Sequence, residues 1–313
     1  MTRRSELPAH LAAGSFTVRD ARAAGISASR LRALDLALPS RGIRVPRAAE
    51  QGLARRAAPY LVLAPEAVLS HLSALALRGL PLPEALRHDV RLHLTVPPGG
   101  VQFRRRGVAG HRAALGPEDT ETVDGVPVTS PARTFLDIAA LPGVTTEDLV
   151  VLGDALVSEH RRSVYGTAAV VRLPGLRAAV EAASGRRGSA KAREVLALVR
   201  VGVDSPMETR LRLALARAGL PEPVVGCLIE GESGRHTYAD LGFPRFRLAV
   251  DYDGSHHLTP AQQTRDALRA QEIADAGWRL VVITKGDVRR GDAWVAARVA
   301  EVLRRQGWED TRP

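Results

Sequence analysis

Residues Tyr238 to His257 read YADLGFPRFRLAVDYDGSHH. The pattern predicts two short strands joined by a Pro-Arg turn, with Asp240 on the first strand and Asp251 and Asp253 on the second. Residues two apart share one face of a strand, and a hairpin brings Asp240 beside the other two. Carboxylates this close repel one another unless a cation compensates them, and hard divalent ions take oxygen ligands. The stretch therefore predicts a site for Mg²⁺ (or Mn²⁺) that cuts a nucleic-acid phosphodiester bond.

Two histidines follow the second strand directly. An imidazole beside a metal-bound water can shuttle protons or hold a phosphate, and in a strand-end loop one of His256 and His257 can point inward. An alternative interpretation stays open for some of the three aspartates, because Asp253-Gly254 is also a typical turn. That alternative explains Asp253 well, Asp251 poorly and Asp240 not at all.

The residues on either side predict an α/β domain. Ser205 and Pro206 begin a helix that extends to about residue 218, and Glu208 falls three residues after the serine. A capping box gives Glu208 a structural role, and the alternative is that its carboxylate points toward the sheet. Strands are predicted over 224–229, 237–243 and 248–252, a helix over 260–276, and a final helix over 293–306. The unbroken apolar run over 278–284 is typical of a strand covered on both faces.

The composition favours a soluble protein with a polyanionic partner. The chain has 313 residues, enough for about two or three domains, and a net charge of +10. A basic surface attracts nucleic acid at long range. The single cysteine, Cys227, cannot form an internal disulfide, and no apolar run is long enough to span a membrane. We therefore expect a cytoplasmic protein.

The first 50 residues predict a small DNA-binding unit. Thr17 can cap a helix over 18–24, Gly25 fits the left-handed position that ends it, and a second helix is expected over 28–36. Leu31 and Leu34 would lie on the inner face of the second helix. The residues expected to face DNA, on that helix and on the following wing, are Ser29, Arg30, Arg32, Arg41 and Arg44. The alternative is that these arginines form a solvated surface.

The middle of the chain carries less chemistry. A helix is predicted over 67–77 and a half-buried, alternating strand over 91–96. His71 and His93 lie far apart in sequence without ligand spacing, so we interpret both as structural or surface residues. The predicted organisation is a winged helix-turn-helix over 1–50, an α+β module of unknown role over 60–183, a linker and connecting helix over 184–204, and an endonuclease-like domain over 205–308.

Two short runs at the N-terminus resemble a known family. FTVRDARAAGISASRLRAL and SRGIRVP are similar to the winged-helix domain of the abortive-infection antitoxin family. The middle segment resembles the region that follows this domain in the same proteins, where SH-x-SA and TSPARTFLD-like strings recur. The resemblance implies DNA binding, transcriptional autoregulation and a toxin-type protein partner.

The C-terminal third resembles a second family. SPMETRLRLAL, YADLGFP, LAVDYDGSHH and QQTRDALRAQEIADAGWRLVVITKGDV are similar, in that order, to predicted endonucleases related to the very-short-patch mismatch-repair endonuclease. The resemblance implies a restriction-endonuclease-like α/β/α fold, with an acidic core and a histidine as the catalytic set. Its members would be Glu208, Asp240 and Asp251 as metal ligands, with Asp253 and His257 beside them. Gln263, Asp266 and Arg269 would face phosphate or support the ligands.

Two departures from this second family weaken the catalytic interpretation. The family usually has Glu at the position of Asp251, and Asp253 occupies a position where the wider superfamily often has lysine. Lys285, at the end of the next strand, could substitute, although a surface lysine is the simpler interpretation. The chain is thus expected to be a multidomain α/β protein with one of two functions. It is either a metal-dependent DNA endonuclease or a non-catalytic, antitoxin-like DNA-binding regulator with a degenerate nuclease domain.

Overall fold

The computed structural model describes residues 6–48, 52–159, 168–231, 236–254 and 260–310, with the backbone alone for 260–263. Across these ranges the chain is a mixed α/β protein with twelve α-helices and three β-sheets. The helices are α1 Ala9–Ala12, α2 Val18–Ala23, α3 Leu53–Leu63, α4 His71–Leu77, α5 Pro131–Ala139, α6 Thr146–Val157, α7 Leu173–Ala182, α8 Ser189–Leu196, α9 Pro206–Arg217, α10 Pro260–Asp275, α11 Lys285–Arg289 and α12 Asp292–Arg305. The strands are β1 Phe16–Thr17, β2 Leu36–Ala37, β3 Ile43–Pro46, β4 Val68–Leu69, β5 Leu92–Val96, β6 Val108–Arg112, β7 Thr120–Val123, β8 Val126–Thr129, β9 Val224–Glu230, β10 His236–Phe243, β11 Leu248–Asp253 and β12 Arg279–Thr284.

The chain divides into two compact units, and neither is continuous in sequence. The first contains Met1–Thr145 and Leu176–Arg193, and the second contains Thr146–Gly175 and Glu194–Pro313. Nothing in the sequence pattern indicated that residues 146–175, which include α6, would pack with the C-terminal part.

The first unit begins with a small three-stranded sheet in the order β1-β3-β2. The Thr17 hydroxyl caps α2 by accepting the Asp20 amide at 3.0 Å, and Gly25 follows with φ of 79°, both as predicted. The predicted second helix is wrong, because the chain forms only a 3₁₀ turn at Arg30–Arg32. Leu34, expected on an inner face, is 81% exposed, since the helical spacing that would turn it inward is absent.

A five-stranded sheet, in the order β6-β5-β4-β8-β7, forms the centre of the first unit. The predicted helix over 67–77 begins only at His71, because Val68–Leu69 form strand β4 beside β5. All five residues of β5 are buried, so the prediction of a half-buried strand is wrong. Side chains from α4 and from the parallel neighbour β6 contribute to covering the polar side of β5, where His93 lies.

The second unit contains a four-stranded sheet in the order β12-β11-β10-β9. Strands β9, β10 and β11 are antiparallel, and β12 joins β11 in parallel. These strands and the helices α9, α10 and α12 agree with the predicted elements to within about two residues. β12 is an edge strand whose residues alternate between buried and exposed, with Val282 38% exposed. The prediction that both of its faces are covered is therefore wrong.

Buried polar residues join α6 to α9 inside the second unit. The Asp154 carboxylate accepts hydrogen bonds from Arg212 Nη2 at 3.0 Å, Thr209 Oγ1 at 2.8 Å and the Arg200 backbone amide at 2.7 Å. The Arg212 and Asp154 side chains are only 3% and 1% exposed. Burial raises the pKa of Asp154 above its usual range, and the Arg212 guanidinium partly opposes this rise.

None of the helices in the described ranges combines the length and apolar character needed to cross a lipid bilayer.

Candidate functional site

Asp240 and Asp251 lie side by side where the hairpin of β10 and β11 stops forming regular ladder bonds. Regular pairing ends at Leu241 and Val250. Beyond that pair, the Asp240 amide donates to Asp251 Oδ1 at 3.0 Å, and the Tyr252 amide donates to Asp240 Oδ2 at 2.8 Å. Each carboxylate thus accepts the hydrogen bond that a backbone carbonyl would accept in a continuous ladder. The two aspartates have a structural role at this point, whatever chemistry they carry.

Arg269, on α10, contacts the same pair. Its Nη2 donates to Asp251 Oδ1 and lies 3.0 Å from Oδ2, and its Nε donates to the Tyr238 carbonyl at 3.1 Å. Asp251 is 8% exposed. Burial raises the pKa of Asp251, with Arg269 lowering it and Asp240 raising it to smaller extents. In this conformation the guanidinium supplies the positive charge that the sequence pattern assigned to a metal ion.

Glu208 is buried at the N-terminus of α9 and points back along its own chain. Ser205 Oγ accepts the Glu208 amide at 3.2 Å, as predicted for the cap. The Glu208 carboxylate accepts from the amide of Asp204, at 3.1 Å, rather than from Ser205 as a capping box requires. This bond gives Glu208 a local structural role close to the one that the sequence offered as the alternative.

The remaining predicted site residues of this unit are only partly described. Asp253 is half-buried and stands opposite Thr284 in the parallel register of β11 and β12. Lys285 is exposed at the start of α11. His256 and His257 lie outside the described residues, as does the side chain of Gln263. Among the described side chains of Glu208, Asp240, Asp251 and Asp253, no three bring carboxylate oxygens within 4.8 Å of one another. The magnesium site stays a prediction.

The N-terminal arginines expected to face DNA divide into two sets. Arg30 is buried and forms two hydrogen bonds with the Asp35 carboxylate, at 2.9 and 2.8 Å. Its predicted position on an outer face is wrong, because the chain turns at this point instead of continuing as a helix. Arg44 is half-buried and donates to the carbonyls of Leu31 and Ile43, at 2.6 and 2.9 Å. Both arginines support the local fold.

The other three residues of the predicted DNA-facing set are exposed. Arg32 and Arg41 lie at the surface, and Ser29 makes a hydroxyl–hydroxyl contact of 2.9 Å with Ser27. The Arg41 carbonyl accepts a hydrogen bond from Arg105 Nη1 at 2.6 Å, which ties the loop between β2 and β3 to its own unit. These exposed residues remain candidates for phosphate contact.

Three histidines that the sequence reasoning did not connect converge in the first unit. His71, His93 and His111 each offer a ring nitrogen, and these atoms all lie within 4.8 Å of one another. His71 and His93, which are far apart in sequence, are both buried, and the β4–β5 and β5–β6 pairings bring them together with His111. One signal was available, since His93 lies in the strand predicted over 91–96, but the neighbours of that strand and their register cannot be read from the sequence.

Comparison with known proteins gives a partial match. Residues 67–198 match the family described as the AbiEi antitoxin C-terminal domain. Two uncharacterized proteins of Mycobacterium tuberculosis, from strains CDC 1551 and H37Rv, are each 38% identical to this chain over 128 residues, which is 41% of this chain and 47% of theirs. The chain spans about half the length of the curated relatives it matches. The family match over residues 67–198 covers most of the middle segment and the first part of the connecting region. It does not extend over residues 1–50 or 205–308. Part of the chain is therefore similar to an antitoxin.

Proposed function

We propose that the protein is an antitoxin-like, DNA-binding transcriptional regulator. The observation that carries this proposal is the match of residues 67–198 to the AbiEi antitoxin C-terminal domain. The net charge of +10 is consistent with a polyanionic partner. A toxin-type protein partner accompanies the same proposal.

The first 48 residues support a DNA-docking role. Helix α1, strand β1, helix α2, a 3₁₀ turn and the β2–β3 hairpin follow one another, and the sheet order is β1-β3-β2. This order is consistent with a winged helix in which the recognition helix is shortened to one turn. Arg32 is the last residue of that turn and Arg41 lies in the hairpin loop, which correspond to the two elements that a winged helix presents to DNA.

The direct experiment measures binding to DNA upstream of the protein's own gene. We expect the tag-free protein to bind that fragment at least tenfold more tightly than a shuffled fragment of equal length and composition. A reporter driven by the same fragment should be repressed when the protein is expressed. Equal affinity for the two fragments, together with an unaffected reporter, would contradict the proposal.

A double substitution tests the surface predicted to contact DNA. Arg32→Ala with Arg41→Ala should weaken binding and reduce the slope of log affinity against log salt by about two, because each phosphate contact contributes about one unit. The measurement is fluorescence anisotropy at four or more salt concentrations. The matched control is Arg177→Ala with Arg289→Ala, which removes the same charge from two other exposed positions. An equal loss of slope in the control would show a general effect of net charge and would contradict the assigned surface.

A second candidate function is metal-dependent DNA cleavage, and it is favoured by one observation. Asp240 and Asp251 are adjacent at the end of a hairpin that is preceded by α9 and followed by α10 and β12. This order is compatible with the restriction-endonuclease-like fold that the sequence resemblance implies. For Asp251 to bind a metal ion, Arg269 would have to release it or share it.

The nuclease prediction is tested with plasmid, mismatched and branched DNA in the presence of Mg²⁺ or Mn²⁺. Asp240→Asn and Asp251→Asn are the suitable variants, because an amide oxygen can still accept the backbone hydrogen bonds that these positions receive. A nuclease should lose at least a hundredfold in rate in either variant, since removal of a metal-binding carboxylate removes charge stabilisation in the transition state. No cleavage by the wild type would contradict the nuclease function, and equal cleavage by the variants would contradict the assignment of cleavage to Asp240 and Asp251.

A further inference from the structure

The histidine cluster, defined as His71, His93 and His111, is assembled from three elements of the first unit. His93 lies on β5 and His111 on β6, and these strands pair in parallel so that His111 stands opposite Thr95. His71 is the first residue of α4, one residue beyond the end of β4, with φ of 48°. A non-glycine residue in that left-handed region is uncommon, and such outliers cluster at functional sites. The local backbone thus holds the His71 ring in a defined place.

The rings contact one another closely. His71 stacks on His111 with ring centroids 3.6 Å apart and planes inclined by 14°. His93 Nδ1 lies 3.0 Å from His111 Nε2. Tetrahedral zinc with Zn–N bonds of about 2.0–2.1 Å separates two ligand nitrogens by about 3.3–3.4 Å. His93 Nδ1 and His111 Nε2 are already slightly closer than this, and one nitrogen from each of the three rings lies within 4.8 Å of the other two. A small adjustment of the side chains would bring these three nitrogens to one ion.

Two of the three rings have an aspartate carboxylate near one of their nitrogens. His93 Nε2, the nitrogen that does not contact His111, lies 3.4 Å from Asp89 Oδ2. His71 Nδ1 contacts Ser70 Oγ at 2.9 Å and lies 4.0 Å from Asp137 Oδ2. A carboxylate behind the distal nitrogen of a histidine is the arrangement that fixes the tautomer of metal-binding imidazoles. With their distal nitrogens directed at these groups, His93 Nδ1 and His71 Nε2 are the nitrogens left for an ion.

Asp137 provides an independent sign that the cluster lacks a partner. Its Oδ2 atom is buried and has no hydrogen-bond partner among the described residues, although Oδ1 accepts from Arg133 at 2.8 Å. A buried acceptor without a donor is costly. An ion bound to His71 Nε2 would favour the tautomer with the proton on Nδ1, the ring nitrogen that lies 4.0 Å from Asp137 Oδ2.

The surroundings of the cluster contain two carboxylates close to the rings. His71 and His93 are buried and His111 is half-buried, so an ion bound between them would be largely shielded from bulk solvent. Asp89 and Asp137 contribute negative charge, partly offset by their partners Arg91 and Arg133.

We propose that His71, His93 and His111 bind one first-row divalent transition-metal ion, with Zn²⁺ as the expected occupant, and that Asp89 and Asp137 orient two of the imidazoles. Imidazole is a preferred ligand of zinc, copper and nickel, whereas magnesium prefers oxygen. Three histidines leave one position of a tetrahedral ion for water or another ligand. This site is separate from the predicted acidic site of the second unit, and it does not depend on the proposed regulatory function.

The first test measures metal content and affinity in protein without a histidine tag. The protein is stripped with a chelator, dialysed and titrated with Zn²⁺ against a chromogenic chelator. We expect one zinc ion per chain bound by the histidine cluster. Titration with Co²⁺ should produce the visible absorption bands of a tetrahedral site, and Zn²⁺ should displace them. Absence of binding by the wild-type protein would overturn the proposal.

Variants assign the binding to these side chains. His93→Ala and His111→Ala should each abolish stoichiometric binding and the Co²⁺ bands. His71→Asn is the conservative choice at the third position, because asparagine tolerates the left-handed backbone conformation. Asp89→Asn should weaken binding by about 10–100-fold while leaving one zinc ion per chain at saturation, as expected for a group that acts through a ligand.

Controls separate this site from the rest of the molecule. His10→Gln and His88→Gln alter exposed histidines outside the cluster and should bind zinc like the wild type. His257→Ala tests the undescribed stretch beside the aspartates. Loss of zinc in His257→Ala combined with full binding in His93→Ala would overturn the proposal.

Circular dichroism and melting of the zinc-free variants verify folding, and His111, the least buried ring, gives the variant with the smallest structural cost. Zinc should raise the melting temperature of the wild type and leave that of a folded His111→Ala variant unchanged.

Discussion

Replacing Arg212 with methionine is expected to lower the free energy of unfolding of the second unit by about 3–5 kcal/mol at pH 7. The side chains of Arg212 and Asp154 are almost completely buried and lie 3.0 Å apart. Removing the guanidinium leaves a buried carboxylate with only the hydroxyl of Thr209 and the amide of Arg200 as partners. Methionine fills much of the same volume, so the change in stability reports mainly the uncompensated charge.

The size of this effect should depend on pH in a defined direction. Burial already raises the pKa of Asp154 in the folded protein, and Arg212 opposes that rise. Without Arg212 the folded-state pKa rises further. A carboxyl whose folded-state pKa is raised contributes its full stability below the unfolded-state pKa, about 3.9, and loses it as the pH rises through the folded-state value. The difference between the variant and the wild type should therefore be small at pH 4 and should widen toward pH 7.

Tryptophan fluorescence measures the stability of this unit. The three tryptophans, Trp278, Trp294 and Trp308, all belong to the second unit, so denaturant unfolding followed at their emission reports on it alone. Arg217→Met is the control, because its side chain is 54% exposed where it pairs with Glu147 and Asp292, and such exposed pairs contribute about 1 kcal/mol or less. Arg212→Met combined with Asp154→Asn should recover most of the loss. A loss in Arg212→Met that is independent of pH, or no recovery in the double variant, would contradict this account.

Asp251→Ala is expected to lower the free energy of unfolding by about 1–3 kcal/mol, whereas Asp251→Asn should stay within about 1 kcal/mol of the wild type. Alanine leaves the Asp240 amide and the Arg269 guanidinium without the acceptor that they share, Asp251 Oδ1. Asparagine keeps an oxygen at that place and removes the charge. The contrast between the two variants measures the hydrogen-bonding role of Asp251 separately from its charge.

The asparagine variant should also become more stable relative to the wild type as the pH rises. Burial raises the pKa of Asp251, so the wild-type carboxyl contributes most below the unfolded-state pKa and loses that contribution as the pH rises through the folded-state pKa. Asparagine does not titrate. Unfolding curves of the two proteins between pH 4 and pH 7 provide the test, and a fixed difference across that range would contradict the effect of burial. A carboxylate kept at a cost in stability is a common feature of functional sites, since activity and stability often conflict.

The pairing of Asp240 with Asp251 could be predicted from the sequence, and the role of Arg269 could not. Alternation along strands and one tight turn place the two aspartates on neighbouring strands with little ambiguity. Arg269 lies 18 residues after Asp251 on a helix, and the contact depends on how α10 packs against the sheet. Three-residue spacing identified a polar face on α10 but could not show which carboxylate that face would contact.

The burial of Arg30 and the histidine cluster were missed for related reasons. A helix was the expected state for residues 28–36, and its geometry would have placed Arg30 outward, whereas the 3₁₀ turn places it against Asp35. His111 joins His93 through a parallel strand pairing whose register is set by the surrounding core. The Arg30 contact with Asp35 is local and was missed because the predicted helix does not form, whereas the contact of His111 with His93 depends on the tertiary arrangement.

The discontinuous path of the chain has a practical consequence for dissecting this protein. Residues 205–308 look like a natural fragment to express, since they contain every predicted catalytic residue. That fragment omits α6 and with it Asp154, so Arg212 would lose its carboxylate partner and a buried surface of α9 would become exposed to solvent. If the isolated fragment then failed to cut DNA, the failure would reflect misfolding of the fragment and not the absence of catalytic residues. Assays of cleavage, DNA binding and zinc binding are therefore informative on the intact chain, with single side chains replaced one at a time.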